Sequence, residues 1–264
     1  MKTSLIISTY NRPDALRLCL LSALSQTILP DEIVIGDDGS TAETKVLVDE
    51  FIKISPVTIK HIWHEDKGFR LAMMRNKCVA ASSGDYIIEV DGDVILERHF
   101  VEDHLGFARP GFYLKGGRTN LGKRLTDSLC RRRRLKDIRF YTRGIESKPE
   151  NSLRIPWLGR MLAANYRKHR GMCLGCNMSY YRQDFLAING YDEFFEGWGG
   201  EDGDLTRRLI QNGIKKRHLK FVGLVYHLWH TDKFMYNKET NVSYSMREAP
   251  KTYCDNGVSK YLMS

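Results

Sequence analysis

Two aspartates, Asp91 and Asp93, stand one residue apart at the end of the hydrophobic stretch IIEVDGDVIL. On a strand such residues point to the same side, and Gly92 between them lets a ligand come close to the backbone. Because two carboxylates at the end of a buried strand repel each other, they favour a compensating cation such as Mn²⁺ or Mg²⁺. D-G is also a common turn dipeptide, so the pair alone predicts a solvated turn equally well.

The stretch KFVGLVYHLWH places two histidines near the end of another predicted strand. An imidazole added to a carboxylate site suits Mn²⁺, and His230, which is nearer the end of the strand, is the first choice as a metal ligand. His227 is the second choice. A lone histidine is more often structural, so the interpretation of each depends on the aspartates.

The stretch GWGGEDGDLTRRLI combines a glycine-rich loop with two acidic residues at the start of a predicted helix. Glu201 and Asp202 could simply cap that helix, since acids are stabilised by its dipole and its free amides. A cap does not require the preceding GWGG, however. Such a loop can bring backbone and an indole against a flat ligand such as a sugar ring. The candidate ligand-binding residues are Trp198, Gly199, Gly200 and Glu201.

Strands and helices alternate along the first hundred residues. The predicted strands are SLIIS, EIVIGD, VTIKHIW and DYIIEV, and the predicted helices begin at Pro13, Thr41 and Arg70. This alternation predicts an α/β fold in which a mostly parallel sheet is covered by helices and the carboxyl ends of its strands share one edge. Ligands of such sheets bind beyond that edge. The residues expected there are Thr9, Tyr10, Asp37, Asp38, Glu65, Asp66, Asp91 and Asp93.

The alternation becomes irregular beyond residue 96, where the chain also becomes strongly basic. We expect a helix over 97–107, a strand at FYLKGG, a basic region of uncertain structure over 121–146, an amphipathic helix in IPWLGRMLAANYRKHR, a strand in GMCLGCNMSYY, helices over 183–188 and 201–212, and a final strand at KFVGLVYHLWH. Because no internal repeat or low-complexity linker occurs, we predict a single domain with an inserted basic segment.

The composition is that of an ordinary globular protein: 264 residues, 42% of them hydrophobic, with a net charge of +9. There is no window of about eighteen apolar residues and no signal peptide, so we expect a cytoplasmic protein or one peripheral on the inner face of the plasma membrane. Six scattered cysteines predict reduced thiols. Since no second cysteine pair is evident, the C-x-x-C of Cys173 and Cys176 predicts small buried hydrophobes rather than a zinc site.

Together these segments resemble the inverting family-two glycosyltransferases of GT-A fold. The opening stretch from SLIISTYNRP to DDGS and the stretch GFRLAMMRNKCVAASSGDYIIEVDGDVIL resemble that family's nucleotide-binding part. The stretch NMSYYRQDFLAINGYDEFFEGWGGEDGDLTRRL is similar to the acceptor-side segment of β-1,4-galactosyltransferases and bacterial chondroitin-type polymerases. The likeness covers about residues 3–107 and 171–232, and its ordered motifs are more specific than D-x-D alone.

The resemblance implies a Rossmann-like nucleotide-binding mixed sheet flanked by helices. It implies a nucleotide-sugar-binding half (1–107) and an acceptor-binding half with a C-terminal tail (171–264). The basic and amphipathic insert between them (108–170) has no counterpart in the family, and its composition alone suggests that it could face a membrane or an acceptor. The resemblance further implies a Mn²⁺- or Mg²⁺-dependent transfer of a hexose or N-acetylhexosamine from a UDP-sugar to a hydroxyl of a glycan or lipid-linked glycan, in cell-surface polysaccharide or lipopolysaccharide biosynthesis.

Residue roles follow by position from the same resemblance. It implies that Thr9, Tyr10 and Arg12 line the nucleotide site, that Asp38 accepts a hydrogen bond from uracil, and that Arg70 lies near the base or diphosphate. It implies that Asp91 faces the ribose and the metal, that Asp93 and His230 bind the metal, that Asp202 is the catalytic base, and that Glu201 holds the acceptor sugar. The animal galactosyltransferases have methionine where His227 stands, so the metal ligands here could differ.

Other function classes remain open at this point. The run Arg131 to Arg134 could bind nucleic acid, but no recognised binding module accompanies it, and we expect no nucleic-acid partner. A sugar-phosphate nucleotidyltransferase would carry a glycine-rich basic loop after the first strand, which TYNRPDA is not. A non-catalytic sugar-binding module would need neither metal ligands nor a base. The arginine run and the amphipathic stretch Ile155 to Tyr166 could also contact anionic lipid, which gives a peripheral membrane alternative.

Overall fold

Four parallel strands form one side of a seven-stranded mixed sheet. The computed structural model describes residues 1–165, 175–231, 236–247 and 252–262. These parallel strands are β1 (Thr3–Thr9), β2 (Glu32–Asp37), β3 (Thr58–Trp63) and β4 (Tyr86–Asp91), in the order β4-β1-β2-β3, with β3 at the edge of the sheet. Every residue of β1 and β2 is buried, as expected for strands covered on both faces. The predicted common edge is confirmed, because Ser8 stands opposite Asp91 and Thr9 opposite Asp37.

Three helices cover this parallel part: α1 (Pro13–Ala23), α2 (Ala42–Ile54) and α3 (Leu71–Ala81). Helix α3 packs closely on β2, where a Cβ at Gly36 would lie 2.6 Å from Cys78 Sγ and 2.8 Å from Met74 Cγ. The glycine therefore sets the distance between this helix and the sheet, and with it the position of every side chain that α3 carries toward the strand ends.

The remaining elements extend the sheet and build a second one. The strands are β5 (Val94–Leu96), β6 (Phe112–Gly116), β7 (Thr119–Leu121), β8 (Ile145–Ser147), β9 (Met178–Tyr181), β10 (Lys215–Leu219) and β11 (Val225–His227). The helices are α4 (Phe100–Phe107), α5 (Lys123–Arg132), α6 (Pro156–Asn165), α7 (Arg182–Ala187), α8 (Glu201–Gln211) and α9 (Lys238–Ser245). The main sheet has the order β10-β6-β9-β4-β1-β2-β3, with β9 antiparallel to both its neighbours, and the smaller sheet has the order β5-β11-β7-β8.

Several expectations about elements are corrected. The final strand is only Val225–His227, because Phe221 and Gly223 have φ angles of 63° and 57° that break an extended run. In GMCLGCNMSYY the strand begins at Met178, after a 3-10 turn at Gly175–Asn177; residues 171–174, including Cys173, lie outside the described part. The other five cysteines are free.

The segment 108–170 has more regular structure than its composition indicated. It contains helix α5 in the basic region, and its strand β6 pairs with β9 and β10 in the main sheet. Strand β10, KKRHL, was not expected because its charged residues lack the apolar alternation of a typical strand. The proposed division into three parts stays a prediction. Within the described residues, the structure contains no helix with the length and apolarity of a membrane span.

Glu32 joins the strands at the sheet edge opposite the predicted ligand edge. Its carboxylate accepts a hydrogen bond from Ser4 Oγ at 2.6 Å and lies 2.8 Å from Lys60 Nζ on β3. Burial alone would raise the pKa of Glu32, but Lys60 and the hydrogen bonds from Ser4 and Ser83 outweigh burial and lower the pKa to about 2. The ionised carboxylate therefore stabilises the folded chain.

We expect this stabilisation to depend on pH. Because the folded-state pKa lies below the ordinary value of 4.5, the contribution is present above about pH 4.5 and is lost as the pH falls toward 2. Urea unfolding should show that Glu32→Gln lowers the free energy of unfolding by about 2 kcal/mol at pH 7, with a smaller difference at pH 3. Glu50→Gln, at an exposed ion pair, is the control; a Glu32 effect of equal size at both pH values would contradict the prediction.

Candidate active site

The smaller sheet brings Asp93 and two histidines together just beyond the end of β4. Strand β11 runs antiparallel to β5 with His227 opposite Val94, and Leu228 N donates to Asp93 O at 2.9 Å. As a result, His227 Nε2 lies 3.6 Å from Asp93 Oδ1, and His230 Nε2 lies 3.4 Å from Asp93 Oδ2. Among the described residues these three form a group whose ligand atoms all lie within 4.8 Å of one another.

The chemistry of this group fits a divalent metal ion. Asp93 Oδ1 is buried and has no hydrogen-bond partner, which is costly for a carboxylate oxygen unless a cation binds there. Burial and the Arg118 guanidinium lower the pKa of His227 to about 3, so its imidazole is neutral, the form that ligates metals. One carboxylate and two imidazoles are a set that suits Mn²⁺.

Arg12 neutralises Asp93 in this arrangement. Its Nη1 donates to Asp93 Oδ2 at 2.7 Å and its Nη2 donates to Trp229 O at 3.1 Å. The Arg12 side chain keeps 30% of its surface exposed, whereas that of Asp93 keeps 15%. The predicted nucleotide-binding residue is therefore also the counter-ion of the predicted metal ligand.

Asp91 lies apart from the group of Asp93 and the histidines. One of its oxygens accepts a hydrogen bond from Arg75 Nη2 at 3.1 Å, and burial raises its pKa while Arg75 opposes that effect. Its assignment as a metal ligand and as a ribose contact stays a prediction. The two aspartates of D-x-D thus have different cationic partners. Asp93 pairs with Arg12 from the loop after β1, and Asp91 pairs with Arg75 from α3.

The other predicted nucleotide-site residues line the same edge of the sheet. Asp38 is buried: its Oδ1 lies 2.6 Å from His64 Nε2 and its Oδ2 accepts the Arg70 amide at 2.8 Å. Tyr10 Oη donates to Asp66 Oδ2 at 2.8 Å. The Arg70 guanidinium donates to Glu65 O, and Thr9 ends β1 beside these residues.

The glycine-rich loop stands at the start of α8. Gly199 and Gly200 have φ angles of 83° and 95°, which glycine adopts without strain. The Trp198 side chain remains 41% exposed, its amide donates to Tyr236 O at 3.1 Å, and Lys238 Nζ lies 5.0 Å from its ring centroid. This loop therefore presents an indole face to solvent next to the acidic helix start.

Glu201 and Asp202 do not act as helix caps. Asp202 Oδ1 accepts Arg75 Nη1 at 2.7 Å, its Oδ2 accepts the Gly175 amide at 2.6 Å, and α8 has no side-chain cap. Burial, followed by the adjacent Asp202 carboxylate, raises the pKa of Glu201 to about 8. Asp202 is thus held as a hydrogen-bond acceptor, while burial favours the protonated form of Glu201, an arrangement suited to separate roles in proton transfer.

Sequence reasoning missed Arg75, which contacts both acidic groups. It is 1% exposed and lies on α3 between the ends of β4 and α8. The available signal was a charged residue in an apolar helical stripe with Leu71, Met74 and Cys78. A buried arginine needs carboxylate partners, and those partners are 16 and 127 positions away along the chain.

Two protein-family models match this chain. The model of the family described as "Glycosyl transferase family 2" matches residues 4–186, and a model described as "N-terminal domain of galactosyltransferase" matches residues 160–231. Validoxylamine A glucosyltransferase of Streptomyces hygroscopicus subsp. limoneus is 29% identical over 80% of this chain and 48% of its own length. Chondroitin synthase of Escherichia coli is 24% identical over 82% of this chain and 33% of its own length. The chain therefore spans half or less of these curated relatives.

Solved structures share the fold. The mannosyltransferase PcManGT from Pyrobaculum calidifontis, in complex with GDP-Man and Mn²⁺, has a TM-score of 0.60 and 14% identity over 88% of this chain and 58% of its own. S. aureus TarS 1–349 in complex with UDP has a TM-score of 0.59 and 16% identity over 99% of this chain and 68% of its own. The GT-A fold expected from the resemblance is confirmed.

Removal of Arg12 is expected to strengthen binding of Mn²⁺ by the group of Asp93, His227 and His230, because the metal no longer displaces a competing cation. Isothermal titration without nucleotide should give a Kd about five-fold lower for Arg12→Met than for wild type, on the order of 1 kcal/mol. Asp93→Asn should abolish binding, and Arg17→Met, which breaks an ion pair with Glu50 elsewhere, should leave the Kd unchanged. An equal or weaker affinity in Arg12→Met would contradict this role.

Proposed function

The chain belongs to glycosyl transferase family 2, as the resemblance predicted, and on that premise we propose that it is an inverting glycosyltransferase. It moves a hexose or N-acetylhexosamine from a UDP-sugar to a hydroxyl of a glycan or lipid-linked glycan. The observation that carries the proposal is the convergence, at one sheet edge, of the group of Asp93, His227 and His230 with the acidic start of α8. The Arg75 guanidinium joins Asp91, at the end of β4, to Asp202 at the start of α8.

Asp202 is the base in this proposal. It accepts the proton of an acceptor hydroxyl while that oxygen attacks the anomeric carbon of the donor, and the bond from this carbon to the diphosphate breaks on the opposite side. One displacement inverts the anomeric centre. Glu201, whose pKa is raised to about 8, donates a hydrogen bond to the acceptor sugar. Trp198, Gly199 and Gly200 provide the surface on which that sugar stacks.

The nucleotide of the donor occupies the edge beside β1 and β2. Asp38 accepts from the uracil ring, Tyr10 and Thr9 line the base and ribose, and Arg12 and Arg70 lie toward the diphosphate. The choice of UDP as the nucleotide is supported by the UDP complex of a structural neighbour with the same fold, although a second neighbour holds GDP-Man. Galactose or N-acetylgalactosamine is favoured through W-G-G-E-D, with glucose as the other candidate.

A divalent cation, Mn²⁺ or Mg²⁺, is part of the proposal. Asp93 and His230 would hold it, with His227 and Asp91 nearby, and such an ion supplies charge that stabilises the departing diphosphate. The buried oxygen of Asp93 that lacks a partner supports this assignment, as does the Mn²⁺ in one structural neighbour.

In this proposal the acceptor is a glycan or lipid-linked glycan of cell-surface polysaccharide or lipopolysaccharide biosynthesis. The chondroitin synthases among the relatives support a polysaccharide product. A lipid-linked acceptor would bring the protein to an anionic membrane on its cytoplasmic face. Trp157 and Met161 on α6 support that contact because they are 69% and 52% exposed, and the run Arg131 to Arg134 is exposed at the end of α5.

The first experiment is a screen of UDP-sugars with Mn²⁺ or with a chelator, read as release of UDP. We expect one or two donors to support turnover that the chelator abolishes. Asp202→Asn should lower kcat by about 10²–10⁴-fold, because the general base is lost, and Asp93→Ala should remove the metal dependence together with most of the activity.

The control for this experiment is Asp49→Asn, which changes an exposed acid that pairs with Lys45 on α2 and should retain wild-type activity. No turnover with any nucleotide-sugar, or full activity in both Asp93→Ala and Asp202→Asn, would refute the assignment.

The membrane contact has its own test in liposome flotation. Vesicles with about a third of phosphatidylglycerol should carry the protein upward. Replacement of Arg131 to Arg134 by serine should nearly abolish flotation, because about 1 kcal/mol per basic residue near the surface amounts to about 4 kcal/mol, or roughly a thousand-fold in the binding constant. A variant with Lys2, Lys53, Arg98 and Lys215 changed to serine has the same net charge and should still bind. Flotation that depends on neither anionic lipid nor the arginine run would reject the contact.

A further inference from the structure

The Arg75 guanidinium lies among four carboxyl groups. Its Nη1 donates to Asp202 at 2.7 Å and lies 3.7 Å from Glu201, its Nη2 donates to Asp91 at 3.1 Å, and its Nε lies 3.8 Å from Glu89. Burial, partly opposed by Arg75, raises the pKa of Glu89 to about 7. The buried Arg75 guanidinium therefore compensates several carboxyl groups, and its shortest contact is with Asp202.

The position of the guanidinium is fixed by two contacts, one with β4 and one with the backbone at Gly175. Glu89 and Asp91 belong to β4, so they anchor Arg75 to the sheet. On the opposite side a Cβ at Gly175 would collide with the guanidinium, and the amide of this glycine donates to the other oxygen of Asp202. The two oxygens of Asp202 are therefore held by two donors whose own positions are set by the sheet and by a close backbone contact.

Tyr191 completes the network. Its hydroxyl donates to Glu89 at 3.0 Å and lies 3.4 Å from both Arg75 Nη1 and Asp202 Oδ1. Its backbone is fixed by Asn76, the residue after Arg75, which accepts from Tyr191 N at 2.9 Å and donates to Tyr191 O at 2.8 Å. Consecutive residues of α3 thus orient Asp202, one directly and one through Tyr191.

We propose that Arg75 is a positioning residue for the transfer reaction: it transmits the position of β4 to Asp202 and holds this base as an oriented carboxylate toward the acceptor. The proposal rests on the transferase function proposed above. Arg75 acts through Asp202 and contacts neither the donor sugar nor the acceptor sugar. Lysine cannot replace it, because an ammonium lacks the planar fork that reaches Asp91 and Asp202 at once.

A double-mutant cycle tests the proposal. In the UDP-release assay with acceptor, Arg75→Met should lower kcat by about 10²-fold. This loss should not exceed that of Asp202→Asn, which removes the base itself. Adding Arg75→Met to Asp202→Asn should lower kcat further by less than about five-fold, because the residue on which Arg75 acts is already gone. Guanidinium at millimolar concentration should partly restore kcat in Arg75→Ala.

The controls separate positioning from structure. Arg208 is another fully buried arginine, paired with Asp204 at 2.7 Å on α8. Arg208→Met should lower the Tm, but its effect on kcat should multiply with that of Asp202→Asn, and guanidinium should not restore activity in Arg208→Ala. If the effects of Arg75→Met and Asp202→Asn also multiply, and guanidinium has no effect, the positioning role is overturned.

A milder cycle covers the case in which the Arg75 variants do not fold. Tyr191→Phe removes the hydroxyl near Arg75 and Asp202, and should lower kcat about three- to ten-fold in wild type and not in Asp202→Asn. Tyr86→Phe, which removes a buried hydroxyl bound to Ser179, is its matched control. Equal effects of Tyr191→Phe in both backgrounds would overturn the proposal.

Failure of the function itself has a different signature. A wild-type protein that releases no UDP, or an Asp202→Asn variant with full activity, would refute the proposed reaction or its base. An active wild type and an inactive Asp202→Asn, combined with multiplicative Arg75 and Tyr191 effects, would reject only the positioning role.

Discussion

Carboxyl groups converge at one end of the sheet, and their repulsion must be compensated before the fold can be stable. Parallel strands deliver acidic side chains to a shared edge, and α8 adds two more from the opposite side. Arg75 supplies the buried positive charge that permits this concentration. Since burying one arginine among acids is favourable only with good geometry, the close packing of α3 on β2 at Gly36 is a condition for the site.

The part of this arrangement that depends on local pattern could be predicted from the sequence. The alternation of apolar runs and helical stripes predicted the four parallel strands. The ends of the first, second and fourth strands predicted that Thr9, Asp38 and Asp91 lie at one edge of the sheet. Regular strands of an α/β sheet follow a topological rule, so their ends can be placed without coordinates. His230 was expected beside Asp93 from the resemblance, and His230 Nε2 lies 3.4 Å from Asp93 Oδ2, while their role as metal ligands stays a prediction.

The contacts that depend on long-range packing could not be predicted. Strand β10 is recognisable only through its pairing with β6, since KKRHL has no apolar alternation. Arg75 and Arg12 were visible as charged residues, but their partners are fixed by how α3 and the loop after β1 meet β4, β5 and α8. The charged residues of such a network can be read from the sequence, but which of them form ion pairs is determined by the tertiary structure.

Arg75 and Arg12 differ in burial, and this difference suits the two halves of the proposed transfer reaction. Arg75 is 1% exposed and anchored on β4, so its charge stays beside Asp202 whether or not a ligand is present. The Arg12 side chain is 30% exposed on a loop, so it can leave Asp93 when a ligand brings its own charge. In the proposed reaction, Asp202 as the base needs its counter-charge throughout, whereas Asp93 would exchange Arg12 for an incoming metal ion. A buried arginine beside the proposed base and a partly exposed arginine beside the proposed metal ligand would satisfy both requirements with the same type of residue.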